Sequence, residues 1–128
     1  MSYAGDITPQ QAWDLLAEDP DAVLVDVRTD REWQVIGVPD TTSIDRRTLF
    51  IEWTNSYGER NPDFIDDLKA AGLTGPVVFL CRSGNRSVGA ATVATAAGIA
   101  PSYNVLEGFE GRFAPGWKSI LPWKEQEK

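Results

Sequence analysis

Two unbroken apolar runs stand out along the chain, AVLV at residues 22–25 and VVFL at 77–80. A run with no polar alternate has no face to give to water, so each reads as a short strand buried on both sides in a parallel sheet. A third strand is expected at residues 103–106, YNVL. Between these runs the pattern changes to helical spacing. Thr8-Pro9-Gln10-Gln11 is a capping box with proline at the first helical position, and Ala12, Leu15 and Leu16 form its apolar stripe up to Asp19-Pro20. Thr29 to Glu32 is a second capping box, opening a short helix that carries Trp33. Asn61-Pro62 reads as the cap and first turn of a helix with Phe64, Ile65 and Leu68 on one face and Gly72 as its stop. The alanine-rich segment that follows Ser87 favours helix as far as Ala97, with Gly98 as stop.

The remainder is less regular. Residues 42–44 suggest a short edge strand, and residues 45–58, with Phe50, Ile51 and Trp53, suggest irregular or partly helical cover. Residues 112–128 form a tail in which Trp117 and Trp123 are expected to anchor by packing. Strands alternating with helices predict an α/β sandwich whose mostly parallel sheet is covered on both faces. Parallel strands share polarity, so Asp26, Arg28, Cys81 and the pair Glu107-Gly108 should meet at one carboxyl edge, where α/β folds bind ligands.

Composition narrows the chemistry. A length of 128 residues predicts one domain over residues 1–128 with a core that needs no covalent staple. The chain has one cysteine and no histidine. An internal disulfide is therefore impossible, and no metal or other cofactor is expected. A formal charge of −7 argues against nucleic acid as partner, because phosphate binding needs clustered lysine and arginine. No basic-then-apolar leader or spanning apolar stretch is evident, so a cytoplasmic location away from membrane is expected.

The lone cysteine ends the run at 77–80 and is followed by Arg82, Ser83, Gly84, Asn85, Arg86 and Ser87 before the alanine-rich helix. In a tight loop that turns into a helix, backbone N–H groups point inward and join the positive end of the helix dipole to hold an anion. A thiolate is such an anion. Gly84 supplies the turn, and Arg82 and Arg86 add charge that favours an ionised, nucleophilic Cys81. Gly89 in the helix predicts close approach of a neighbour. A cysteine used only for packing would not require this setting.

CRSGNR at Cys81 to Arg86 resembles the active-site loop of the single-domain rhodaneses, the thiosulfate:cyanide sulfurtransferase family. DVRTDREW (26–33), YNVLEGFEG (103–111) and GWKSILPW (116–123) resemble three further family segments in the same order, so the resemblance runs over most of the chain from about Ile7. Where the family usually has Gly-His-Ile-Pro-Gly, this chain has Gly37 in the histidine's place and Asp40 in the second glycine's. The resemblance implies a rhodanese-like three-layer sandwich: a mostly parallel five-stranded sheet flanked by helices.

It also implies an enzyme that moves a sulfane sulfur from thiosulfate or a similar small anionic donor to a thiol or cyanide-type acceptor, through a persulfide on Cys81. A persulfide-donating protein is a further possible partner. In this reading Arg82 to Ser87 bind the donor, Arg28 either contacts it or braces the loop through Asp26 or Glu32, and Asp26, Glu107 and Gly108 support the site. Two alternatives remain at this stage. One is phosphatase or arsenate-reductase chemistry, which is disfavoured by a loop with four residues between cysteine and arginine and by weak acid candidates in Asp26, Asp30 and Glu107. The other is a non-enzymatic sulfur carrier or interaction module.

Overall fold

The computed structural model describes residues 2–126. In chain order its elements are β1 (Gly5–Ile7), α1 (Pro9–Glu18), β2 (Val23–Asp26), α2 (Asp30–Ile36), β3 (Val38–Pro39), a 3-10 turn at Thr42–Ile44, β4 (Thr48–Phe50) and α3 (Phe64–Ala70). They continue with β5 (Val77–Leu80), α4 (Arg86–Ala96), β6 (Ser102–Val105), α5 (Trp117–Ile120) and β7 (Trp123–Lys124). Among the described residues, five strands form a parallel sheet in the order β1-β6-β5-β2-β4. This is the α/β sandwich the alternating pattern predicts.

The apolar runs are continuous because both sheet faces are covered. Successive side chains point to opposite faces. Val23, Val25, Val27, Val77, Phe79 and Cys81 face Ala90, Ala91 and Ala94 of α4 and Phe64 and Leu68 of α3. Leu24, Val78, Leu80 and Val105 face Ala12 and Leu16 of α1 together with Phe109, Trp117 and Leu121. Each fully buried leucine, valine or phenylalanine stabilises the fold by about 2 kcal/mol against exposure. Trp117 is wholly buried, with its indole N–H donated to the Pro122 carbonyl at 2.8 Å.

Gly89 does mark a close approach. A Cβ there would lie 3.0 Å from Cζ2 of Trp53, so that ring seats on α4, edge-on to Phe64 with centroids 5.0 Å apart. Arg60 covers its other side at 3.5 Å. This packing orders the segment between β4 and α3.

Four local expectations are corrected. Residues 42–44 are a 3-10 turn, opened by Asp40 Oδ1, which accepts from Thr42 N (3.0 Å) and Thr42 Oγ1 (2.6 Å). The edge strand is β4, inside the stretch read as irregular cover; three residues are too few to establish a period of two. Helix α3 begins at Phe64, because Asn61 spends its side chain on Glu52 O and Asp63 N and forms a preceding turn. The tail is partly strand: β7 pairs antiparallel with β3, Val38 opposite Lys124 and Pro39 opposite Trp123. Strand β1 was not anticipated at all.

The β3–β7 ladder also explains Gly37. Its φ is 109°, and a Cβ there would lie 2.7 Å from the Trp123 ring. The tail occupies the space that a histidine side chain would need.

Arg46 links the 3-10 turn to the end of α1. Its Nε donates to Leu16 O (2.6 Å) and Asp19 O (3.0 Å), and its Nη2 to Ala17 O (3.2 Å), satisfying carbonyls that the helix leaves open. Arg46→Ala should lower stability by about 2 kcal/mol in urea unfolding, given charge-assisted bonds of roughly that worth. Arg46→Lys should not restore it, since a single ammonium cannot span the same carbonyls.

Candidate active site

Strands β2 and β5 are in register, Asp26 opposite Leu80, and the ladder continues one step further as Val27 N donates to Leu80 O at 2.8 Å. The residues after each strand therefore leave the sheet side by side. Cys81 follows β5, and the chain turns at Gly84 (φ 95°) into α4. The turn brings Gly84 N to 3.1 Å from Cys81 Sγ as a donor, and Ser87 Oγ to 3.1 Å from the same sulfur. Cys81 is 1% exposed and borders both the apolar core and this polar loop.

The turn after β6 clamps the loop from the other side. Phe109 N donates to Cys81 O (2.8 Å) and Glu110 N to Arg82 O (2.9 Å). This approach is possible only because residue 108 is glycine: its φ is 56°, and a Cβ would fall 2.3 Å from Cys81 O. Glu107 supports the same turn outward, its Oε1 accepting from the backbone N–H groups of Arg112, Phe113 and Ala114. Those bonds hold its carboxyl below the ordinary range.

Of the two roles expected of Arg28, the geometry favours bracing through Asp26. Its side chain and that of Asp26 are both fully buried, and they form a two-pronged pair: Nη2 to Oδ2 at 2.7 Å and Nε to Oδ1 at 3.0 Å. Nη2 also donates to the Gly37 carbonyl at 2.8 Å, and the guanidinium lies 4.1 Å over the Phe109 ring. Arg28 thus braces β2, the turn before β3 and the clamp. Its partner is not Glu32 despite the four-residue spacing, because Arg28 precedes the cap Thr29 and lies outside the helix.

Glu32 instead completes the capping box and reaches Arg86 with both oxygens, at 2.8 and 2.9 Å. Burial opposes ionisation of Glu32, but hydrogen bonds from Arg86 and Thr29 outweigh it and leave the carboxyl lowered. For Arg86, burial again opposes the charge. The fork to Glu32, with the charges of Cys81 and Asp26, reverses this and leaves the guanidinium raised. A fixed positive charge is therefore held at the start of α4, the helix into which the Cys81 loop turns.

The other sequence candidates are spread around the loop. Arg82 is largely exposed, with Nε 3.2 Å from a Glu110 carboxylate oxygen, so its guanidinium is turned outward from the thiol. Ser83 is half-buried and Asn85 exposed. Of the loop amides, Gly84 N–H is the one bonded to sulfur among the described residues. Sequence reasoning missed Asn104 and Asp6. Asn104 is 1% exposed and bonds Ser87, the Gly84 carbonyl and Asp6. A polar residue in the middle of the buried segment 102–105 was the available signal.

A loop that sets the chain's one cysteine against the amide of a strand-to-helix turn, on an α/β sheet of this order, defines a class, and sequence comparison gives it a family. A family model described as a rhodanese-like domain matches residues 8–113, and the chain belongs to that family. It is similar to the crystal structure of Rv0390 from M. tuberculosis, with 51% identity and a TM-score of 0.90 over 98% of this chain and 100% of that one. It is 38% identical over 123 residues to a protein of Rickettsia rickettsii, covering 92% of this chain and 95% of the relative. It is 32% identical over 116 residues to the thiosulfate sulfurtransferase GlpE of Pseudomonas syringae, covering 91% and 89%.

Two outcomes follow from the bracing charges. Arg28→Ala should cost about 3 to 5 kcal/mol in unfolding experiments, because it strands the buried Asp26 carboxylate; an unchanged melting temperature would contradict the bracing role. The stabilisation from Glu32 is complete above its ordinary value of 4.5 and is lost as pH falls through the lower folded-state value. Between 4.5 and the lower folded-state value, Glu32→Gln should accordingly show a flatter stability profile on acid titration than the parent chain.

Proposed function

We propose that this chain is a sulfurtransferase in which Cys81 carries a sulfane sulfur as a persulfide. The observation that carries this reading is the sulfur's setting: it receives the Gly84 N–H, contacts Ser87, and lies near the fixed charge of Arg86. In the first half-reaction the Cys81 thiolate attacks the outer sulfur of thiosulfate. The bond between that sulfur and the sulfonate breaks, and sulfite leaves with the electron pair. In the second, cyanide or a thiolate takes the terminal sulfur and returns Cys81 as thiolate. Sulfite departs without a proton, so no general acid is needed.

The loop residues Arg82 to Ser87 form the donor site, with Arg86 supplying charge and the Gly84 amide stabilising thiolate and persulfide. Asp26 and Arg28 hold the edge on which the loop sits, and Glu107 and Gly108 shape its clamp. The relative from Pseudomonas syringae supports thiosulfate as donor. A persulfide-donating protein could serve the same sulfur. The three acids weighed for phosphate-ester cleavage are engaged elsewhere: Asp26 is held by Arg28, Glu107 Oε1 by three backbone N–H groups, and exposed Asp30 accepts from Gln34. No helix is long and apolar enough to cross a membrane among the described residues.

Treatment with thiosulfate should add the mass of one sulfur atom to the intact chain, and cyanide should remove it. Cys81→Ser should neither gain the atom nor turn over thiosulfate. An unmodified Cys81 after exposure to thiosulfate, polysulfide and a protein persulfide would end the proposal.

A further inference from the structure

Seven large apolar side chains are exposed among the described residues, and three of them, Leu106, Phe113 and Ile120, belong to the turn after β6 and the short helix α5 that follows it. Leu106 and Ile120 line a groove of about 270 Å³ whose walls include Pro9, Ala114, Pro115 and Glu107. Phe113, the residue before Ala114, is the most exposed of the three at 84%. It is nevertheless held in place. Glu107 Oε1 accepts from the backbone N–H groups of Arg112, Phe113 and Ala114, and a bridge between Gly111 and Pro115 closes the loop. A carboxylate thus orders a loop whose aromatic tip stands in water beside an open apolar groove. An exposed aromatic fixed in advance loses little freedom when it is later covered.

We propose that Phe113 and this groove are the two halves of a self-complementary contact through which two copies of the chain form a two-fold dimer. Knob and groove share a wall, because Ala114 and Pro115 follow Phe113 directly. A two-fold axis beside that wall seats each Phe113 in the other copy's groove, so both contacts form together. Charge fits the same arrangement. Arg112 forms no salt bridge among the described residues, and its guanidinium lies 4.7 Å over its own Phe113 ring. Glu107 commits Oε1 to its own loop, while its Oε2 accepts no hydrogen bond among the described residues. The groove therefore suits an apolar ring accompanied by a cation, and the adjacent loop displays that combination. Exchange of the rings carries each Arg112 towards the other copy's Glu107. With a formal charge of −7 on each copy, the contact forms against repulsion, so the dimer exchanges with monomer and grows with concentration.

Sedimentation velocity of the full chain, from micromolar to submillimolar concentration, should show monomer giving way to dimer. Phe113→Lys and Ile120→Asp each alter an exposed side chain, so each should leave the melting temperature little changed while holding the chain monomeric over the same range. Leu106→Asp, on the same groove, replaces Ile120→Asp if that variant does not fold. An equimolar mixture of the knob and groove variants then reads the contact directly. In their heterodimer the intact Phe113 of the groove variant enters the intact groove of the knob variant. At the second contact the introduced lysine meets the introduced aspartate. The mixture should therefore dimerise at concentrations where neither variant does so alone.

A parent chain that stays monomeric throughout, a dimer that survives both substitutions, or a mixture that remains monomeric would each overturn the proposal. A monomeric parent whose groove takes up the apolar probe anilinonaphthalene sulfonate would overturn it as well and leave the groove to a small ligand. None of these readouts involves Cys81, so the sulfurtransferase reading stands or falls on its own mass measurement.

Discussion

The pairing of β2 with β5 is the constraint on which the remainder depends. It places Asp26 opposite Leu80, and Val27 N on Leu80 O carries the ladder past both strands. Two chain exits are thereby held a strand spacing apart, about 5 Å. From one exit come Arg28 and the capping box with Glu32; from the other come Cys81 and Arg86. A one-residue slip would turn Cys81 to the opposite face and separate Glu32 from Arg86. The apolar sandwich on both faces forbids that slip, because it would invert every core side chain.

Charge at this edge is arranged by depth. Asp26 and Arg28 are fully buried and hold three segments together, although Arg28 Nη1 is left without a hydrogen bond. Desolvating such a pair is costly, so its value lies in fixing geometry more than in net stability. Glu32 and Arg86 lie halfway out, where the two-pronged contact keeps both groups ionised. Arg82 is at the surface and reaches half-buried Glu110 by a longer contact that adds little. Positive charge therefore reaches the sulfur from the middle layer, while the outer arginine remains with its carboxylate partner.

The polar side of Cys81 is a hydrogen-bond inventory with little slack. Gly84 N, Ser87 Oγ and Asn104 Oδ1 share few protons, and Asp6 and the Gly84 carbonyl remove the freedom to reassign them. The clamp by Phe109 and Glu110 on the backbone of Cys81 and Arg82 keeps the inventory in place.

Much of this was legible in the sequence because it is encoded locally. The apolar runs gave the central strands, the Thr8 and Thr29 boxes gave two helix starts, and Cys81 to Ser87 gave the loop. Gly84, Gly89 and Gly108 each stand where a turn or a close approach excludes a Cβ. What remained hidden depends on partners distant in sequence. Strands β1, β3, β4 and β7 are two or three residues long and exist because a neighbour offers an edge. The fates of Arg28 and Glu32 follow from which groups the sheet brings into reach, and helical spacing alone misassigns them. Asn104 has no motif, and its role arises only where Asp6, 98 residues away, meets Ser87 across the sheet edge. Local chemistry marked the candidate nucleophile; long-range register decided which polar groups and charges surround it.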